Sequence, residues 1–178
     1  MKNQVLETIQ QRSSTRAYTK EELTNEQVQA LVNAALQAPT ARNNQELFFS
    51  VANTNSDVIQ EMNAEMNAAR GVEDPEKTFF YNAPLLILIS ARENVTFEGV
   101  DAGIAVQSIA LAAQSMGLGS VIIGCVKPLL KGERKAYYND KLGVPEEYSF
   151  EIAIAIGHIE STKVPHEYTE QGFVSYIK

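Results

Sequence analysis

A chain of 178 residues with 44% hydrophobic and 21% charged residues fits one soluble globular domain and is long enough to fold on a single core. Its formal net charge of -7 repels polyphosphate backbones and anionic lipid, so nucleic-acid and membrane-surface partners are excluded on charge. One cysteine, Cys125, precludes an intrachain disulfide, and no apolar run reaches membrane-span length. These features give the expectation of a cytoplasmic protein.

Taken in chain order, residues 3–10 read as a short helix with Val5, Leu6 and Ile9 on one face, interrupted by Ser13, Ser14 and Thr15. Thr24 is placed to cap a helix running to about Gln37. Pro39 stops it and opens a polar loop, Thr40 to Gln45, before a strand at 47–52. Ser56 is placed to cap a helix to about Ala69. The run LLILIS, residues 85–90, has the length and continuity of a central strand covered on both faces. Residues 98–116 form a long helix, apolar on more than one side, which Gly117 terminates. A short strand at 120–123, one helix over 127–142 and a last strand at 150–157 complete the body. The tail, 161–178, has too little apolar periodicity to pack alone.

Three segments carry polar chemistry. In Arg12-Ser13-Ser14-Thr15-Arg16, two guanidinium groups flank three hydroxyls, and a guanidinium fork matches paired phosphate oxygens. Alone, this also reads as an ordinary capped helix end. In Ala38-Pro39-Thr40-Ala41-Arg42-Asn43-Asn44-Gln45, side-chain amides offer donors and acceptors suited to the edge of a flavin or pyrimidine; a polar turn has the same composition. Asp101-Ala102-Gly103-Ile104-Ala105, Gly117-Leu118-Gly119-Ser120 and Ile123-Gly124 supply small residues that let backbone approach a flat ring. No spacing of His, Cys and carboxylates suggests a metal site, and no hydrolase elbow or Walker loop is present.

In order and separation, RSSTR, APTARNNQ, APLLILIS, DAGIAVQS and GLGSVIIG resemble the motif set of the nitroreductase family of FMN enzymes over residues 5–160. The resemblance implies an α+β fold, a three-layer α/β/α sandwich around a mixed, mainly antiparallel sheet. It also implies a homodimer with FMN at the interface and the tail, 161–178, packed on the partner. Arg12 and Ser14 would approach the phosphate or ribityl chain with Ser13 beside them, and Arg16 would lie near flavin N1 and O2. Pro39, Thr40 and Ala41 would come from the partner subunit, with Asn43 and Gln45 near the pocket. Ile123 and Gly124 would present backbone to the reactive edge, and Lys163, with His166, would complete the phosphate site. No side chain need act as acid or base.

The implied activity is hydride transfer from NADH or NADPH through flavin N5 to a nitroaromatic, quinone or similar acceptor. The alternative of a different class is an FMN-binding protein that stores, senses or delivers flavin without efficient turnover. The chain departs from the family at Glu46-Leu47, where Pro-Trp is common, and in its few C-terminal basic residues. Asn63 and Asn67 are the candidates for the family's mid-chain asparagine.

Overall fold

Two faces of one sheet organise the molecule, whose computed structural model describes residues 2–74, 76–161 and 172–177. Helix α1 (Gln4–Gln11) is capped by Asn3, whose side chain accepts from the Leu6 N–H. Helix α2 (Asn25–Leu36) begins with a reciprocal capping box: Thr24 accepts from the Gln27 N–H, and the Gln27 side chain accepts from the Thr24 N–H. A single 3-10 turn, Ala41–Asn43, leads into β1 (Leu47–Asn53). Then follow α3 (Asp57–Arg70), β2 (Leu85–Arg92), α4 (Glu98–Ser115), β3 (Leu118–Ile123), α5 (Lys127–Lys131), α6 (Lys135–Leu142) and β4 (Tyr148–His158).

The strand order is β1-β2-β4-β3, and every pairing between these strands is antiparallel. Among the described residues, parallel pairing is confined to the isolated bridge between Ser14 and Ser120. The sheet expected to be mixed and mainly antiparallel is antiparallel through all four strands, and the parallel bridge lies outside them.

Period-two alternation sorts the two inner strands onto two cores. Leu86, Leu88, Ala153 and Ala155 face α3, α5 and α6, where Met62, Met66, Phe79, Phe80, Leu130 and Tyr138 fill the volume. Leu85, Ile87, Ile89, Ile154 and Ile156 face α2 and α4, packing on Leu31, Ala35, Ala105, Ile109 and Ala113. This is the three-layer sandwich expected from the resemblance. The alanines of α4 allow its backbone to lie close to the sheet while it still touches α2.

Two expectations need correction. The stretch 127–142 is two helices, because the chain between α5 and α6 breaks at Gly132 (φ -90, ψ -154). The Pro128 carbonyl would sit 2.6 Å from any Cβ there, so the break requires glycine. Ser56 occupies the cap position of α3 with extended backbone, but its hydroxyl makes no capping hydrogen bond and is buried without a partner.

Candidate functional site

After α1 the chain turns extended at Arg12 (φ -58, ψ 124) and runs alongside β3. The Thr15 N–H donates to the Ser120 carbonyl at 2.9 Å, and the Thr15 side chain is buried directly over Gly119. A Cβ at Gly119 would come within 2.6 Å of the Thr15 hydroxyl oxygen, so this close approach depends on glycine. Tyr18 closes the segment: its hydroxyl donates to the Thr15 carbonyl at 2.8 Å, and its ring lies on Gly157. Burial pushes that hydroxyl's pKa up, with the Arg16 charge pulling the other way. Neighbours of an inward-pointing residue in extended chain point outward. Ser14 is accordingly half-buried and Arg16 exposed.

The Arg16 guanidinium sits 5.6 Å from the centroid of the Tyr81 ring, in cation–π range. Both line a cavity of about 540 Å³ with Asn67 and Arg70 of α3, Lys77 of the following loop, and Cys125 just beyond β3. Ile123 at the strand end is buried, and Gly124, beside the cavity's Cys125, is exposed. Arg12, Arg16, Arg70 and Lys77 pair with no carboxylate among the described residues. In a chain with 22 acidic and 15 basic residues, that leaves a local positive surface against the global field.

The amide loop is built elsewhere. Both carboxylate oxygens of Asp101, in the first turn of α4, accept from the Ala41 N–H at 3.0 and 3.1 Å. The Gln45 N–H donates to the Thr40 hydroxyl oxygen at 3.0 Å, and the Gln45 amide donates to Asn43 at 3.4 Å. Arg42, Asn43 and Gln45 all hold positive φ, near 55°. Thr40 and Gln45 line a second cavity of about 290 Å³ with Leu36, Leu47 and Phe49, while Pro39 is exposed. Within one chain, then, Arg12, Ser13, Ser14, Arg16, Ile123 and Gly124 gather along β3. Pro39, Thr40, Ala41, Asn43 and Gln45 line a different surface.

The mid-chain candidates separate as well. Asn63 is buried and accepts from the Phe79 N–H at 3.1 Å, a structural role. Asn67 lines the cavity and donates to the Lys77 carbonyl at 2.8 Å. Lys163 and His166 lie outside the described residues. Sequence reasoning missed Arg70 and Lys77 as site-shaping residues, and singled out Asp101 only within its small-residue segment, without its hold on Ala41. The signal for Arg70 was its position one helical turn from Asn67; that for Asp101 was an acid at a helix N-terminus.

The residues present fit a flat, anionic cofactor such as FMN. The segment Arg12–Arg16, whose guanidinium groups pair with no carboxylate among the described residues, runs along β3, and an exposed glycine follows that strand where a ring edge could meet backbone. No cluster of His, Cys, Asp and Glu among the described residues could hold a metal ion, and no described helix is long and apolar enough to cross a membrane.

Comparison with known proteins points the same way. The family model described as Nitroreductase family matches residues 9–158. A nitroreductase crystal structure with bound FMN from Desulfitobacterium hafniense superposes with a TM-score of 0.90 and 33% identity, covering 100% of both chains. The NADPH-flavin oxidoreductase of Vibrio harveyi is 29% identical over 88% of this chain and 66% of its own length. The FMN reductase [NAD(P)H] of Bacillus subtilis is 27% identical over 70% of this chain, which spans only 55% of that relative.

Proposed function

The chain belongs to the nitroreductase family, and on that premise we propose that it is an FMN-dependent oxidoreductase taking electrons from NADH or NADPH. The observation that carries this reading is the docking of Arg12–Arg16 along β3 in a fold shared with an FMN-bound nitroreductase. Arg12, Ser13 and Ser14 would hold the phosphate and ribityl chain, with Lys163, which lies outside the described residues, as a further candidate for charge. Arg16 sets positive charge beside the ring, which favours the reduced, more negative state. Ile123 and Gly124 offer backbone to the ring edge.

FMN, when bound, would supply the hydride-transfer chemistry at N5 that links a nicotinamide donor to a nitroaromatic, quinone or similar acceptor. The chain's own residues position the reactants and limit water at the ring; no side chain is assigned as acid or base.

The functional unit in this reading is a homodimer built from single-domain chains. Val5, Leu6 and Ile9 of α1 are 65%, 45% and 49% exposed, and Phe97, Val100 and Ile104 form a second exposed apolar group around the start of α4. Apolar surfaces of this kind favour burial against a partner. The tail carries exposed Phe173 and Ile177, suited to packing on the second copy. Dimerisation would bring Pro39, Thr40, Ala41, Asn43 and Gln45 of one subunit to the flavin of the other, which accounts for two half-sites on separate surfaces of one chain. Titrating FMN into flavin-free protein, with sedimentation in parallel, tests the reading. It expects saturable quenching of flavin fluorescence and a dimer mass; absence of FMN uptake overturns it.

A further inference from the structure

The flavin reading leaves three charged cavity groups unused: Arg70, Lys77 and Glu76. Arg70 stands in the last turn of α3, where the helix end alone would favour a cation. Lys77 has no such reason to be there. Its segment is nevertheless stapled in place. The Asn67 amide holds the Lys77 carbonyl at 2.8 Å, Asn63 accepts from the Phe79 N–H at 3.1 Å, and the Asn82 amide donates to the Glu76 carbonyl at 3.3 Å. The Thr78 hydroxyl donates to the Asn82 side chain and accepts from the Asn82 N–H. Tyr81 and Asn82 both hold positive φ, 55° and 58°, within this turn. Side-chain amides thus fix the backbone of residues 76–82 against α3, and Lys77 is set on the same cavity wall as Arg70.

Some cations elsewhere on the molecule find carboxylates, Arg92 with Glu147, Lys127 and Lys131 with Glu151, Arg134 with Glu61 and Glu65, Lys135 with Glu93, while Lys2, Lys20, Arg42 and Lys141 pair with none among the described residues. Arg70 and Lys77 also pair with none among the described residues, although Glu76 lines the same cavity and the chain has a surplus of acids. Arg16, the third cation, stacks on Tyr81 on this wall.

We propose that Arg70 and Lys77 form an anion-reading rim that makes the site select substrates carrying a phosphate or carboxylate remote from their redox-active ring. The extra phosphate of NADPH and the carboxylate of an aromatic acceptor share this chemistry. A guanidinium pairs with either in a bidentate fork, and an ammonium adds a point charge. Glu76 opposes both and tempers the preference.

The inference rests on the flavin reading, so FMN uptake is measured first. Calorimetry on the flavin-loaded protein then compares NADP+ with NAD+, and 4-nitrobenzoate with 4-nitrobenzamide. The expected result is tighter binding of the charged member of at least one pair, by about three- to tenfold at low salt, shrinking as ionic strength rises. Lys77→Met and Arg70→Met should each reduce that ratio, Lys77→Arg should restore it, and Glu76→Gln should raise it. The two pairs say which substrate carries the anion. Equal affinities within both pairs, or ratios unmoved by Lys77→Met and Arg70→Met, overturn the proposal. Loss of FMN affinity in those variants in place of the ratio change also overturns it, since the charges would then serve the cofactor. A protein that takes up no FMN overturns the flavin reading itself, and this inference with it.

Discussion

The carboxylate of Asp101 grips the backbone N–H of Ala41 with both oxygens, at 3.0 and 3.1 Å. The two residues are 60 positions apart, and the contact ties the amide loop to the first turn of α4. It matters because Arg42, Asn43 and Gln45 occupy left-handed backbone that costs energy outside glycine, so the loop needs an external anchor. Asp101→Ala should destabilise the fold by about 1–2 kcal/mol, the usual range for losing a charged acceptor from a half-buried donor. Hydrogen exchange at residues 41–45 should accelerate more than elsewhere. Exchange unchanged in the loop would show that Asp101 does not hold it.

Gly119 and Thr15 give a second test. Gly119→Ala places a methyl within 2.6 Å of the Thr15 hydroxyl oxygen and should lift residues 12–16 from β3. Overpacking of this kind costs about 1–3 kcal/mol. FMN affinity, followed by fluorescence quenching, should fall, and Thr15→Gly added to Gly119→Ala, which removes the Thr15 Cβ at 2.8 Å as well as the hydroxyl, should recover much of it. A double variant no better than the single one would remove the clash as the cause.

Arg16→Gln takes away the charge on the Tyr81 ring without removing the neighbouring hydroxyls. Bound flavin should become harder to reduce, by on the order of 30 mV, one decade for a two-electron couple. Spectroelectrochemical titration reads this directly. An unchanged potential with normal FMN affinity would contradict the role given to Arg16.

Alkaline stability follows from the buried tyrosines. Burial pushes the Tyr138 hydroxyl up to about 12 from an ordinary value of 10.0. Tyr18 shifts in the same direction, also through burial. A folded-state pKa above the unfolded one means that the neutral hydroxyl contributes fully below pH 10 and that the contribution is lost as pH rises from 10 toward 12. Urea unfolding across that window should show a falling stability, and Tyr138→Phe should flatten part of the slope. A slope identical in both proteins would assign the effect to other groups.

Much of the fold was legible because burial and period agree in the sequence. The run 85–90 is continuous and apolar, and it forms most of β2 with both faces covered. Thr24 and Gln27 spell a capping box that the structure makes. Local signals failed where a single backbone contact decides. The break at Gly132 depends on the Pro128 carbonyl, and a helical pattern over 127–142 carries no trace of it. The unused hydroxyl of Ser56 is equally silent in the sequence. For the site, the ordered motifs name Arg12–Arg16 and the loop after Pro39 as candidates. Arg70 and Lys77 escaped because Lys77 is set on the cavity by the Asn67 amide bonding its carbonyl ten residues away, a relation that residue spacing does not encode.

The central claim is that this chain passes electrons through bound FMN. Anaerobic stopped-flow mixing of the FMN-loaded protein with NADH and, separately, NADPH tests it most directly. The account predicts rapid bleaching of the flavin band with at least one donor and recovery of colour when a quinone or nitroaromatic is added. A flavin band that persists with both donors would contradict it and leave a protein that only holds FMN.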